Sequence, residues 1–428
     1  MKLEVTNENY NAVVVEVKNL VSVGLNTLVA FPVFGYQALV PNKTEIGDIL
    51  ILFPAEVQLS EDYCRENDLF RKSELNKTKN AVGYIEDNRR VKAIKLGGQN
   101  STALAIPLSS LSYLGKVDLK VGDTFNSIDG KEICKKYVIK EKLISERGNN
   151  VRGKNKKFQR VEAKLFPEHL DTEQYLRNDH KIDNNEEVVI TQKLHGSSGR
   201  FGHILVNREL GFIERIMKKL GFPVLEMCYD YVAGSRRTVK EIDNKNANHF
   251  YKSDIWNTML DRYKTQIPRG YIIYGEIVGY TPDGGQIQKG YIYECKEGES
   301  ELYVYRVSQM NPDGIGVDLS HKQVREFCKN NGFNVVPELM TTNHGSFKEL
   351  REDFVEVNFA SKYRSMVDLS IPFYTDRPID NGDKFPEEGV CIRVDGLTPY
   401  ILKMKNQSFL IGESKQLDTG DVDMESNN

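Results

Sequence analysis

The six cysteines of this 428-residue chain, Cys64, Cys134, Cys228, Cys295, Cys328 and Cys391, include no Cys-x-x-Cys pair. That scatter argues against a zinc module and against a secreted disulfide framework; free thiols in a reducing compartment are expected. The seven histidines contain no His-x-x-x-His pair of the helical metal-binding kind. No stretch approaches the roughly 18–20 apolar residues of a membrane span. The start, Met1-Lys2-Leu3-Glu4-Val5, lacks the apolar core of a signal peptide. An intracellular protein with no membrane partner is therefore expected, cytoplasmic or at a nucleoid or viral replication site. The formal net charge is only −3. The chain as a whole has no excess of positive charge for a polyanion, so any basic surface must be local.

What is present is the composition of a soluble globular protein, 39% hydrophobic and 28% charged. The length exceeds one ordinary core, so two domains are the default. Residues 1–115 read as short β-branched or aromatic runs broken by turns: Ala12–Val17, Thr27–Phe31, Asp48–Phe53 and Thr102–Pro107. Such spacing suggests a small closed or half-closed β-barrel, for which an OB-fold is the natural candidate and an SH3-like barrel the alternative. A short helix is expected at Glu61–Phe70. Residues 116–160 form a basic connector in which Arg147, Arg152, Lys154, Lys156, Lys157 and Arg160 have only Glu146 for acidic company. It is either a solvated linker or an arm that tracks phosphates.

Residues 161–414 alternate strands with amphipathic helices, an α+β pattern. Phe212–Leu220 places Ile213, Ile216, Met217 and Leu220 at helical spacing before Gly221, as a core-facing helix would. Ser320-x-x-Gln323 and Ser346-x-x-Glu349 are capping-box patterns. Trp256, the single tryptophan, is assigned to a core helix face with Leu260 and Tyr263. The acidic tail 415–428 has no periodicity, and disorder is expected.

One stretch is more informative than the rest. Val188-Val189-Ile190-Thr191-Gln192-Lys193-Leu194-His195-Gly196-Ser197-Ser198 delivers a lysine from a hydrophobic strand into a turn of glycine and hydroxyl residues. An unperturbed lysine, with a pKa of about 10.4, is protonated at neutral pH. It becomes a nucleophile only where burial or neighbouring cations change that. Four further stretches follow in order: Tyr274–Gly279, Leu302–Val307, Glu387–Arg393 and Leu402–Asn406. Glu276 and Glu388 each sit beside a glycine in a hydrophobic strand, where a carboxylate needs a partner. Lys403 and Lys405 are two apart on a strand and share a face.

This ordered series resembles the motifs of the covalent nucleotidyltransferases, the polynucleotide ligases and mRNA capping enzymes, from about Phe166 to Glu413. Lys-Leu-His-Gly-Ser-Ser resembles the RNA ligase form, because DNA ligases and capping enzymes usually carry Asp where this chain has His195. The resemblance implies that Lys193 attacks the α-phosphate of ATP to give lysyl-AMP. It implies that Lys403 and Lys405 bind that phosphate and activate the amine. Glu388 would organise Mg²⁺ or Mn²⁺, and Glu276 would contact a ribose hydroxyl. Tyr305 would stack on the purine, with Tyr303 a weaker competitor on the same face. Gly196 would let the backbone approach the nucleotide, Ser198 would contact the ribose or its neighbours, and Gln192 would lie where main-chain groups read the adenine edge. One arginine of Ser235-Arg236-Arg237-Thr238 would bind phosphate; aligning Arg-Arg-Thr favours Arg237, and Arg236 stays open.

The architecture resembles the Deinococcus-type RNA ligases, with an OB-like domain ahead of a nucleotidyltransferase domain of antiparallel sheets flanked by helices. DNA ligases and capping enzymes carry their OB domain after the last motif, and only about twenty residues follow Lys405. The expected protein is a monomeric, ATP-dependent RNA ligase acting in RNA repair. It would seal 3′-hydroxyl and 5′-phosphate ends, at nicks in RNA or an RNA-containing duplex, with Arg152, Lys154, Lys156 and Lys157 on the nucleic acid. The alternatives are a capping-type guanylyltransferase, a DNA ligase, or an inactive homologue that only binds nucleic acid.

Overall fold

The computed structural model describes residues 1–138, 158–240, 253–351, 375–381 and 385–419. The chain divides into two compact units, Met1–Arg152 together with Lys405–Val422, and a second whose body is Gly153–Met404.

The first unit is built on a six-stranded sheet in the order Thr124–Phe125, Ala12–Glu16, Ile49–Pro54, Ala103–Pro107, Tyr36–Pro41, Leu28–Val33. Both faces are covered. Val13, Val15, Leu50 and Leu52 pack with Phe31 and Ala38 on one side. Ala12, Val14, Ile51 and Phe53 pack with Tyr63, Leu111 and Phe125 on the other. A strand buried on both faces reads as a continuous apolar run rather than an alternation, which accounts for Ala12–Val15. Among the described residues the two end strands do not pair with each other, so the closed form of the expected barrel is not seen.

Three readings of this region need correction. Strands at Thr124–Phe125, Ser127–Ile128, Lys131–Glu132 and Cys134–Lys136 lie inside the stretch that composition assigns to a connector. Hydrogen-bond pairing, which composition does not register, makes them part of the first unit. The basic run itself, Arg147 to Lys157, lies outside the described residues. The early helix is capped by Ser60 and covers only Glu61–Glu66, ending before Asp68 at a φ of 51°. Finally, Gln407–Thr419 is helical, where disorder was expected from Lys415 onward; residues 420–428 lie outside the description. Ile411 packs with Ala55 and Ala93. Arg90, almost fully buried, pairs with Glu56 at 2.7 Å and Asp418 at 2.9 Å and donates to the Ser414 carbonyl. These are long-range polar contacts, and no local periodicity announces them.

Seven strands, in the second unit as far as Met404, carry the site: β1 (Glu187–Lys193), β2 (Ser197–Asn207), β3 (Met227–Gly234), β4 (Tyr271–Gly279), β5 (Ser300–Met310), β6 (Gly389–Val394) and β7 (Tyr400–Lys405). One sheet of five strands runs Glu173–Gln174, β7, β6, β1, Glu338–Asn343. A second, of seven, runs Val239–Lys240, β3, β2, β4, β5, Gly316–Asp318, with Asn334–Val335 pairing β5 from off that path. Residues Leu194–Gly196 link β1 to β2, so the chain changes sheet immediately after Lys193.

Two helices flank the large sheet. Helix α1 (Ile255–Tyr263) buries Trp256, Met259 and Leu260 against it, as expected. Helix α2 (His321–Asn331) opens on the Ser320–Gln323 capping box and stops at Gly332 in the left-handed conformation. Ser346, by contrast, is not a cap: helix His344–Leu350 starts one turn earlier, with the Asn343 side chain accepting from the Ser346 amide. Phe212–Lys219 is helical but not core-facing. Phe212 and Ile213 are 79% and 71% exposed. Periodicity identifies an apolar face and says nothing of whether a core lies opposite it.

Glu338 joins α2 to the strand beside β1. His321 Nε2 at 3.3 Å, then the Thr341 hydroxyl at 2.9 Å and Arg325 at 3.4 Å, hold its carboxyl down at about 2. A carboxylate depressed from about 4.5 contributes stability above the unfolded value, and loses it as pH falls toward the folded one. Glu338→Gln should therefore destabilise the protein at neutral pH by no more than about 3 kcal/mol. Urea melts at stepped pH should show that difference shrinking between pH 4.5 and 2; a constant difference across that range would contradict the assignment.

Candidate functional site

A cleft of about 840 Å³, counted to its open mouth, is lined by Thr191, Lys193, Ser198, Glu276, Tyr305 and Arg393 among others. Its floor is set by β1. Val188 and Ile190 are fully buried on one face, and β1 is paired on both sides, with Lys193 opposite Gly389 at its end. The Lys193 amine lies 2.9 Å from Glu388 Oε1, with side chains 10% and 0% exposed. Glu388 Oε2 is 3.6 Å from His195 Nδ1. Two residues that lie far apart in sequence thus form one buried lysine–carboxylate pair. Gly389, which follows Glu388 and opens β6, has a φ of 140° that side-chain-bearing residues rarely adopt.

The turn after Lys193 is held from several directions. The His195 amide donates to the Tyr293 hydroxyl at 2.7 Å, and Gln288 donates to the Gly196 carbonyl at 2.8 Å. Trp256 Nε1 donates to the Ser198 carbonyl at 3.0 Å. Glu276 lies directly across from Ser198 in the β2–β4 register. It accepts from the Gly196 amide at 3.1 Å and from the Ser198 hydroxyl at 3.3 Å. Gly196 was expected to permit close approach of the backbone to a nucleotide. A Cβ there would lie 2.3 Å from the Ile277 carbonyl oxygen, so the packing of this turn on β4 already requires the glycine.

The other expected residues divide. Tyr305, Glu276 and Ser198 line the cleft with Lys193. Gln192 lies in the same wall with its side chain fully engaged, donating to the Ile379 carbonyl and to Glu387 and accepting from the Ile379 amide. Its own amide donates to the Pro337 carbonyl at 3.0 Å. Of the two arginines, Arg236 lines the cleft and Arg237 does not; their side chains are 16% and 54% exposed. Ser235 and Thr238 close a tight turn around them, which sends consecutive side chains in different directions. Lys403 shares a strand face with Ile401, a cleft residue. In the first unit, Lys405 pairs with Glu413 of the terminal helix at 3.2 Å. Arg152, Lys154, Lys156 and Lys157 lie outside the described residues.

Sequence reasoning missed several wall residues. Cys391 and Arg393 line the cleft from β6. Their i, i+2 spacing was the available signal. Arg393 is nearly buried and fixed, pairing with Asp395 at 2.6 Å and donating to the Tyr305 and Leu319 carbonyls. Arg306 forms a two-pronged pair with buried Asp318 at 2.7 and 3.1 Å. His169 and His321 also face the cleft. Among the described residues no three His, Cys, Asp or Glu side chains gather where they could hold a metal ion. A divalent cation here would rely on one or two carboxylates, Glu388 foremost and then Glu276, with ligand oxygens and water completing its shell.

The tight packing of the turn generates a prediction. Gly196→Ala forces the added methyl into the β4 backbone, which cannot yield as a flexible side chain would. A loss of about 1–3 kcal/mol of stability should follow. Thermal or urea melts would check it; an unchanged melting temperature would show that the turn relaxes freely.

The profile of the RNA ligase family matches residues 186–405. A comparison with curated protein sequences finds no match. Among solved structures, Naegleria gruberi RNA ligase with pyrophosphate is similar at a TM-score of 0.55 and 16% identity, over 94% of this chain and 98% of that one. A variant of the same ligase with ATP and Mn is similar at a TM-score of 0.53 and 15% identity, over 96% and 99% of the two chains. At such identities the likeness speaks to the fold, in both units. The profile spans about half of the sequence, from the strand that carries Lys193 to the end of the strand that carries Lys403, and the chain belongs to the RNA ligase family.

Proposed function

We propose that the protein is an ATP-dependent RNA ligase that joins 3′-hydroxyl to 5′-phosphate ends, at nicks, through a lysyl-AMP intermediate. The observation that carries this reading is the buried Lys193–Glu388 pair at the base of a cleft that also presents Tyr305, Glu276 and Arg236. In the first step the Lys193 amine attacks the ATP α-phosphorus. An N–P bond forms, the P–O bond to pyrophosphate breaks, and the ammonium proton is lost. The AMP then passes to a 5′-phosphate, and a 3′-hydroxyl displaces it.

The residues have distinct parts in this scheme. Lys193 is paired with Glu388 at 2.9 Å, and drawing Glu388 to another partner would free the amine for attack. A divalent cation, Mn²⁺ or Mg²⁺, held by Glu388 and phosphate oxygens would supply that exchange and neutralise developing charge. Tyr305 stacks on the purine, an interaction of roughly 1–3 kcal/mol. Glu276 takes the ribose side, using carboxylate oxygens that already hold the Lys193 turn. Lys403 would bind the α-phosphate, and Lys405 is assigned the same part. Arg236, with a fork suited to phosphate, is favoured over Arg237 on its place in the cleft. The Naegleria structures with ATP and Mn support the choice of nucleotide and cation. The first unit is read as OB-like, in the arrangement of the Deinococcus-type ligases. With Arg152, Lys154, Lys156 and Lys157 it would hold the RNA backbone.

Incubation with α-labelled ATP or GTP and a divalent cation tests the reading. Label from ATP should become covalently attached to the protein, and Lys193→Ala should abolish it. Label from GTP alone would identify a guanylyltransferase, and no adduct from either would mark a non-catalytic homologue. A second comparison separates the arginines. Arg236→Ala should slow sealing of a 5′-phosphate nick at least tenfold, corresponding to about 1.4 kcal/mol, while Arg237→Ala should have a much smaller effect. The reverse ranking would return the phosphate contact to Arg237.

A further inference from the structure

Tyr305 is held at both ends, and the residue holding its outer end is His169. The Tyr305 hydroxyl lies 2.6 Å from His169 Nδ1, and the Tyr305 carbonyl accepts from Arg393 at 3.1 Å. The imidazole is clamped in turn. It stands perpendicular to the ring of Tyr274, centroids 5.1 Å apart and 86° between planes. Its Nε2 is inaccessible to solvent and has no hydrogen-bond partner among the described residues. Tyr274 cannot swing away. Its hydroxyl donates to the Pro167 carbonyl at 3.0 Å, and the Arg306 guanidinium lies 4.3 Å from its ring centre.

Burial, with Arg236, Arg200 and Arg306 nearby, lowers the His169 pKa and keeps the imidazole neutral. In the neutral ring Nδ1 either accepts the Tyr305 O–H or donates to its oxygen, and either tautomer makes the tether.

We propose that His169 is a positioning residue for purine recognition: by tethering the Tyr305 hydroxyl it fixes the ring before the nucleotide arrives. The proposal rests on the stacking role given to Tyr305 above. A tyrosine on a strand facing an open cleft otherwise samples several rotamers, and the ligand would have to select one. Preorganisation removes that cost, so losing the tether should weaken nucleotide binding more than it slows the chemical step.

The experiment is a double-mutant cycle on the full-length protein, reading the rate of lysyl-AMP formation against ATP concentration. His169→Ala and Tyr305→Phe should each raise the ATP KM by about three- to tenfold, the scale of ordering one side chain. If both remove the same tether, the double variant is no worse than either single one. His169→Asn, whose side-chain oxygen can accept near the position of Nδ1, should restore most of the lost affinity. A general structural role would give additive effects and no rescue by asparagine, and either result overturns the proposal. If His169→Ala does not fold, Tyr305→Phe and His169→Asn decide it: a normal KM for Tyr305→Phe refutes the tether. Tyr305→Ala serves as the control. A large KM increase there, with Tyr305→Phe and His169→Ala unaffected, overturns only this inference. An unchanged KM for Tyr305→Ala overturns the stacking role as well.

Discussion

A lysine and a glutamate share one buried position in this fold, and most of the second unit is arranged to bring them there. Lys193 ends one strand and Glu388 precedes another, with nearly two hundred residues of sequence between them. Burying either charge alone would cost several kcal/mol, whereas together at 2.9 Å they can be desolvated. The pairing fixes the β1–β6 register, which sets Lys193 opposite Gly389. It also obliges the chain to leave the five-stranded sheet at once, because the residues after Lys193 must not cover it. The tight link Leu194–Gly196 follows from that need. So does the support around it, with Tyr293, Gln288, Glu276 and Trp256 each satisfying a polar group of a turn that has no ladder of its own.

Glu276 shows how such a turn and a binding site can share atoms. Its carboxylate holds Gly196 and Ser198 while also lining the cleft. A ligand hydroxyl donating to it adds to the existing bonds, since an ionised carboxylate accepts about four. Gly196 already brings its backbone close to that of β4, where a side chain would not fit.

The sequence was legible where the chemistry is local. Strand runs, the capping box at Ser320 and the burial of Trp256 could be picked out from residue type and spacing; Lys193, Glu276 and Tyr305 were singled out by the resemblance of the ordered motifs, and these three line one cleft. It was not legible where a residue depends on a distant partner. The terminal helix has little amphipathic pattern, and its order comes from Ser414, Asp418 and Ile411 meeting Arg90, Glu56, Ala55 and Ala93. His169 and Arg393 look ordinary in sequence, because what distinguishes them is the Tyr305 hydroxyl on one and the Tyr305 carbonyl on the other. The exposed helix Phe212–Lys219 failed in the opposite way: its pattern is clear, and the core it implies is missing.

The net charge of −3 raises the question of which cations in the cleft remain able to meet a phosphate. Arg306 and Arg393 line it, but each is committed. Arg306 is paired with Asp318, whose side chain is 5% exposed, and Arg393 divides its donors between Asp395 and two carbonyls. Withdrawing either would strand a buried acceptor, so both act as scaffolding for the wall. Arg236 differs in kind. Its carboxylate neighbour, Asp171, is 73% exposed, and an exposed carboxylate returns to water at little cost. If the cleft takes a phosphate as proposed, a dianion would displace Asp171 from Arg236 more readily than Asp318 from Arg306. Such binding would depend less on how many positive residues line the cleft than on how well hydrated each one's present carboxylate partner can become.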